Sequence, residues 1–251
     1  MTSPLWRRES FKEIPSTNTY LVERARAGEP AGLVVRADFQ SAGRGRLDRK
    51  WEAPPRSGLM VSILLRPELP ESARHLANIA VALAAREAVL ILSGVRPDLK
   101  WPNDLLLDGR KVGGLLAEFV VDENNESAIV VGCGINLTWD GPPEVHATSL
   151  RTASGVTISV ENLLDMILRS LDTRSHDLNS EEGRQRLQAE YRDALVTLGQ
   201  SVRVQTGRGD IFGVATDVDS DGWLSVLDAV GGQHLVSIGD VVHLRPAEAQ
   251  Q

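Results

Sequence analysis

Apolar residues recur along this chain in two rhythms. From Ser72 to Leu92 the positions Leu76, Ile79, Ala80, Leu83 and Ala84 fall three and four apart, which predicts a helix lying against a sheet. Val160 to Leu171 repeats that spacing through Leu163, Leu164, Ile167, Leu168 and Leu171, and a further helix is predicted from about Glu181 to Leu195 with Leu187 and Tyr191 inward. Near the start, Ser16-Thr17-Asn18 stands ahead of Tyr20, Leu21, Val22 and Ala25, and Gly28 follows, the pattern of a short capped helix with a glycine stop. Between the helices the rhythm is that of strands: Leu33 to Phe39, Leu59 to Leu65 and Ala128 to Ile135. Leu105-Leu106-Leu107, the Asp108-Gly109 turn and Lys111 to Val121 predict a hairpin, so several neighbouring strands should run antiparallel.

The pattern changes near Gly199. Val202-Val204, Ile211-Val218, Trp223-Leu227, His234-Ile238 and Val241-Leu244 read as brief strands separated by Gly, Asp and Ser turns, which predicts a small closed barrel of the SH3-like kind. The expected organisation is a main domain over residues 1–198, a C-terminal SH3-like β-barrel over 199–246 and a tail at 247–251. No internal repeat or low-complexity segment is visible.

With 251 residues the chain can bury a substantial core. A formal net charge of -7 argues against a protein that coats nucleic acid or an anionic membrane. Cys133 is the only cysteine, which rules out an internal disulfide or a cysteine-built zinc site and fits a reducing, cytoplasmic compartment. Met1 to Ser10 is polar with no apolar leader core, and no run of about 18 apolar residues predicts a membrane span.

Against that acidic background, Arg44, Arg46, Arg49 and Lys50 gather in and after Ser41-Ala42-Gly43-Arg44-Gly45-Arg46. Glycines let backbone approach a ligand closely and guanidinium groups fork onto phosphate or carboxylate oxygens, although a solvated turn has the same composition. A second segment, Lys100-Trp101-Pro102-Asn103-Asp104, is followed after one hairpin turn by Lys111-Val112-Gly113-Gly114, which can bring Lys111 across from the Asp104 strand. Taken singly, Lys111 also reads as an exposed hairpin lysine, Asp104 as a turn residue and the glycines as a bulge. None of the five histidines forms a ligand set, and no metal site is expected from protein side chains.

Five segments in order resemble the signatures of biotin protein ligases: Ser16-Thr17-Asn18; Gln40 to Arg46 with Arg49-Lys50-Trp51; Lys100 to Asp104; Lys111 to Gly114; and Gly132-Cys133-Gly134-Ile135-Asn136. The resemblance spans roughly residues 14–150, and the short closing strands resemble that family's C-terminal domain. It implies an α+β fold, a mixed β-sheet flanked by helices like class II synthetase catalytic domains, carrying an SH3-like barrel. It implies an enzyme that joins biotin to ATP, with Mg²⁺ for charge neutralisation, and passes the biotinyl group to a lysine of the biotin carboxyl carrier domain of an acetyl-CoA or related carboxylase.

By the same resemblance Lys111, Arg46 and Asp104 are the catalytic residues, Lys111 holding the biotin carboxylate and Asp104 lying near the incoming lysine. Ser16, Thr17, Asn18 and Gln40 would bind the ureido ring, with Arg44, Gly45, Arg46 and Lys111 completing the biotin site. Arg44, Arg46, Arg49, Trp51, Asn103 and Asn136 would hold the nucleotide. The glycine-arginine loop is expected to close over the adenylate. The nearer rival is a lipoate or octanoate ligase of related fold, and the remoter one a nucleic-acid-binding module, which the overall acidity opposes. No DNA or membrane partner is expected, and an exposed sheet edge would allow a homodimer.

Overall fold

The computed structural model describes residues 6–207 and 209–243. In chain order its elements are β1 (Arg7–Phe11), α1 (Thr17–Arg26), β2 (Leu33–Ala37), β3 (Gly58–Leu65), α2 (His75–Ser93), β4 (Asp98–Lys100), β5 (Asp104–Leu107), β6 (Arg110–Val121) and β7 (Ser127–Asn136). There follow α3 (Leu150–Ser154), α4 (Val160–Leu178), α5 (Glu181–Ala194), β8 (Ser201–Thr206), β9 (Gly209–Val218), β10 (Leu224–Leu227), β11 (Gln233–Val236) and β12 (Asp240–His243). The first seven strands make one mixed sheet in the order β1-β2-β3-β7-β6-β5-β4, antiparallel throughout except for β1 beside β2.

Alternation along β3 and β7 separates the two faces of that sheet. Val61, Ile63, Val131, Cys133 and Ile135 belong to the main core with α2 and α4, whereas Leu64 and Val130 belong to a smaller cluster closed by Leu21, Val22 and Ala25 of α1. Helix α2 is apolar enough in composition to cross a membrane, and here that surface is spent in the core: β6 and β7 contact it, and so do α4 and α5. Its charged members sit towards its C-terminal end, where Arg86 donates to the Pro97 carbonyl at 2.8 Å and Glu87 pairs with Arg174 at 2.8 Å. Burial on that core side pushes the Cys133 thiol up to about 12, so it stays protonated.

Three short elements lie outside the sequence expectations: β1, β4 and α3. Strand β1 reads Arg-Arg-Glu-Ser-Phe, with no apolar alternation, because it is a charged edge strand tied down by Trp6 to Asp172 at 2.7 Å and by Arg8 to Asp165 at 2.5 Å. Helix α4 also runs on past Leu171 to Leu178, where the polar stretch conceals the continuing buried face.

The C-terminal strands form an antiparallel sheet of order β11-β10-β9-β8-β12, an SH3-like arrangement. Its end strands β11 and β12 are not paired with each other among the described residues, so its ladder is open where the sequence predicts closure. Val202, Val204, Ala215, Leu224 and Val241 join the main core, and Trp101 donates from its indole to the Gly222 carbonyl at 3.0 Å. Leu244, which the sequence places in the last strand, and the expected tail at 247–251 lie outside the described residues.

His243 of β12 lies 3.4 Å from the Thr197 hydroxyl, and burial, reinforced by Lys100, pulls its pKa down to about 4. The unfolded chain then binds the proton first, so between its ordinary value of 6.5 and about 4 the folded state loses stability as pH falls. Melting temperature measured across pH 4 to 7 is expected to fall more steeply in the wild type than in His243→Gln over that interval.

Candidate active site

Pleating puts two cross-strand rows on the face of the sheet not covered by α2. One row is Met60, Gly134, Gly114 and Asp104 on β3, β7, β6 and β5, and the next is Ser62, Gly132 and Leu116. Three glycines in neighbouring strands remove the side chains that would fill this space. A Cβ on Gly134 would stand 2.5 Å from the Trp51 ring and one on Gly132 would stand 2.2 Å from Asn18 Oδ1. The result is a cavity of about 210 Å³, floored by the sheet and walled by the start of α1, the 40–52 segment and the 139–147 segment.

Lys111 reaches this face because of a register shift. In a regular strand Lys111 and Gly114, three apart, would face opposite sides, but the β5–β6 ladder shifts between Leu105 and Leu106, and the extra residue turns Lys111 toward Asp104. Lys111 Nζ lies 2.6 Å from Asp104 Oδ1, and a Cβ on Gly114 would meet both at 3.2 and 3.4 Å. The Lys111 backbone is held in turn by the end of the 139–147 segment and the residue after it, its N–H donating to the His146 carbonyl and its carbonyl accepting from the Thr148 N–H, both at 2.9 Å.

The glycine-arginine segment folds back on itself. Gly45 donates to the Arg49 carbonyl at 2.7 Å and Trp51 to the Gly43 carbonyl at 3.0 Å, with Leu47 and Asp48 at φ of 53° and 57° forming the tip. Gly43 cannot be replaced there without collision, since its Cβ would lie 2.3 Å from the Trp51 carbonyl oxygen. The cations are held apart by separate partners: Arg44 pairs with Glu118 at 3.0 Å, and Arg49 with Asp240 of β12 at 2.5 Å. Among the described residues Arg46 bonds to neutral oxygens alone, those of Asn103 at 3.5 Å and Gly239 at 3.3 Å, and burial pulls its pKa below the usual arginine value against the opposing pull of Asp240 and Asp104.

At the start of α1 Ser16, Thr17 and Asn18 are all buried. Ser16 caps α1 by accepting from the Thr19 N–H at 3.3 Å, so capping and cavity lining coexist in one residue. Gln40 Oε1 accepts from the Thr17 N–H at 2.8 Å and its hydroxyl at 3.0 Å. Asn18 Oδ1 accepts from Ser62 at 2.5 Å, while its Nδ2 donates to the Leu116 carbonyl at 3.1 Å and Glu118 at 2.9 Å. The opposite amide orientation would set Oδ1 against two pure acceptors, so the chemistry leaves one choice.

Every site residue named from the sequence lines this one cavity: Ser16, Thr17, Asn18, Gln40, Arg44, Gly45 and Arg46, then Arg49, Trp51, Asn103, Asp104, Lys111 and Asn136. Lys100 does not line it. Trp51 packs over Gly134 as part of the wall, and its buried indole N–H has no partner among the described residues. Asn136 is anchored by donating to the Thr148 carbonyl at 3.0 Å. Sequence reasoning missed Glu118, Asp240, Ser62, and Trp139, Pro142, Val145 and Ala147 of the adjoining segment. A Gly-Pro-Pro turn at 141–143 marks a loop there, but Glu118 and Asp240 carry no local signal because their partners are distant in sequence.

A cavity lined by lysine and arginine together with small neutral hydrogen-bonding groups suits a ligand with an acidic, activatable end and an uncharged polar head. Mixed sheet, flanking helices and SH3-like appendage place it in the class of ligases that activate a carboxylic acid. The biotin/lipoate A/B protein ligase family matches residues 10–136, and the biotin protein ligase C-terminal domain matches residues 197–244. The chain belongs to the biotin/lipoate A/B protein ligase family. It is 36% identical over 249 residues to the biotin--[acetyl-CoA-carboxylase] ligase of Mycobacterium tuberculosis, covering 96% of this chain and 90% of that one. It is 32% identical to the bifunctional ligase/repressor BirA of Bacillus spizizenii, covering 84% of this chain and 66% of that relative's length. The biotin protein ligase from Aquifex aeolicus, solved with biotin and ATP, superposes with a TM-score of 0.80 at 27% identity, over 95% of this chain and 99% of that one.

Gly132→Ala tests the close packing of this floor. Its new Cβ must push the Asn18 amide off Ser62 and leave buried polar atoms unpaired, so urea denaturation should report a loss of about 1–3 kcal/mol.

Proposed function

We propose that this chain is an ATP-dependent biotin protein ligase that makes biotinyl-5'-AMP and then transfers the biotinyl group to a lysine of a biotin carboxyl carrier protein. The observation that supports it most is convergence: the Lys111 amine and the Arg44 to Arg49 segment, far apart in sequence, border one cavity that Ser16, Thr17, Asn18 and Gln40 also line. Relatives named as biotin ligases, and a solved relative holding biotin and ATP, agree with that choice over lipoate.

In the first half-reaction an oxygen of the biotin carboxylate bonds to the α-phosphorus of ATP, the bond from that phosphorus to the bridging oxygen breaks, and pyrophosphate leaves. Negative charge gathers on oxygens that fixed cations stabilise. Lys111 exchanges its Asp104 partner for the carboxylate and holds the mixed anhydride that forms. Arg44, Arg46 and Arg49 close on the phosphates, while Trp51, Asn103 and Asn136 hold the nucleotide. Ser16, Thr17, Asn18 and Gln40 match the donors and acceptors of the ureido ring in a pocket where an unmatched group is costly. In the second half-reaction a neutral lysine amine attacks the acyl carbon, the bond to the phosphate oxygen breaks, and AMP departs. Asp104, released from Lys111, orients the incoming lysine and, as general base, accepts the proton that its ammonium sheds.

Mg²⁺ enters as the partner of ATP. Among the described residues no three His, Cys, Asp or Glu side chains cluster to hold a metal, and of the three carboxylates that line the cavity, Glu52, Asp104 and Asp240, the two aspartates are each tied to a cation. That arrangement suits an ion carried in on phosphates, where it supplies charge neutralisation. The acceptor is the carrier domain of an acetyl-CoA or related carboxylase, a division into domains falls near Gly199, and the compartment is the cytoplasm.

Biotin-dependent exchange of pyrophosphate into ATP is the direct assay. Lys111→Ala should reduce it by at least about a hundredfold, the scale of losing a principal charge-stabilising group; an unchanged rate would remove Lys111 from the chemistry. Asp104→Ala should slow transfer to the carrier lysine more than adenylate formation, read by following AMP release and biotinylated carrier separately. Equal loss of both steps would reject the role given to Asp104.

A further inference from the structure

One carboxylate near the cavity has no part in the chemistry above. Glu118 lies on β6 with its side chain about one quarter exposed, and it bonds to both Asn18 and Arg44. Its Oε2 accepts from Asn18 Nδ2 at 2.9 Å and from Arg44 Nη1 at 3.1 Å, and its Oε1 pairs with Arg44 Nη2 at 3.0 Å. It therefore completes a continuous polar series. Gln40 accepts from the Thr17 N–H, the Thr17 hydroxyl, whose single proton serves either Gln40 or Ser62, lies 2.8 Å from Ser62, Ser62 donates to Asn18, Asn18 donates to Glu118, and Glu118 grips Arg44. The series begins and ends in the same glycine-arginine segment, having passed through the pocket lined by the start of α1.

We propose that Glu118 is a positioning residue that couples occupation of the Thr17–Asn18 pocket to the placement of Arg44, a proposal that rests on the biotin ligase reading. Both N–H groups of Asn18 are already committed, to the Leu116 carbonyl and to Glu118. A ring bonding at this pocket holds Asn18 and its neighbours still, and Glu118 passes that order to the guanidinium through a two-oxygen fork. The effect runs both ways, since coupling between two bound ligands is reciprocal: nucleotide that draws on Arg44 tightens biotin by the factor by which biotin tightens nucleotide. Glutamate is required because a carboxylate can serve the amide with one oxygen while forking the guanidinium with both. A glutamine retains one oxygen for Asn18 and loses the charged fork.

The test is calorimetric binding of biotin with and without a non-hydrolysable ATP analogue, in the wild type, E118Q, R44Q and the double variant, with melting temperatures confirming folding. In the wild type the analogue should tighten biotin about fivefold or more, at the low end of usual coupling. In E118Q biotin alone should bind within about twofold of wild type, because the Asn18 contact persists, while the effect of the analogue disappears. R44Q should abolish the same coupling, and the double variant should lose nothing further. Coupling that survives in E118Q, or a wild type without coupling, overturns the proposal. So does a tenfold or greater loss of biotin binding by E118Q alone, which would make Glu118 part of the pocket itself. Wild-type protein that binds biotin but fails pyrophosphate exchange would defeat the function and leave the binding linkage to be judged on its own result.

Discussion

Everything at this site depends on side chains that are not there. Gly114, Gly132 and Gly134 lie in β6 and β7, at the centre of the seven-stranded sheet, where any Cβ would occupy the space of Lys111, Asn18 or Trp51. Glycine weakens a strand because it packs nothing and gives up more backbone freedom on folding. Here the weakening is offset on the opposite face. Cys133 and Ile135 alternate with those glycines and sit in the main core beneath α2, so a single strand carries a dense side and a hollow one. The Gly-Cys-Gly-Ile-Asn run is that division written in sequence.

Into the hollow the fold brings several cations that would repel one another in a confined space. Individual counter-ions make this tolerable: Asp104 for Lys111, Glu118 for Arg44, Asp240 for Arg49. An entering anion can then exchange partners with each in turn without an unpaired charge being buried, which would cost far more than a surface pair is worth. Arg46 differs, bound to neutral oxygens and largely desolvated, and so is the guanidinium most in want of an anion. Since Asp240 and the Gly239 carbonyl belong to the C-terminal sheet and its approach, that sheet shares in holding the loop, which gives a physical reason for its being joined to the core through Trp101.

The strongly periodic elements were legible from residue spacing: α2 and α5 nearly to their ends, the β5–β6 hairpin, β3 and β7. Edge elements were not. Strand β1 exists because β2 offers it a parallel ladder and α4 offers Asp165 and Asp172 as anchors, none of which its own five residues announce. The far end of α4 and the open ladder of the C-terminal sheet were likewise hidden, since each is settled by what packs beside it.

For the site the sequence by itself determined the chemical inventory: which cations, which small polar groups and which glycines the chain can bring to bear. That information is local, because motifs such as Gly-Arg-Gly-Arg and Ser-Thr-Asn are contiguous and their chemistry follows from side-chain type. Only the tertiary structure decided how the pieces face one another. The register shift in β5–β6 that turns Lys111 toward Asp104, and the meeting of Glu118 with Arg44 and of Arg49 with Asp240, depend on strand register and on how the two sheets pack, which arise from packing over the whole core and leave no mark on any single segment.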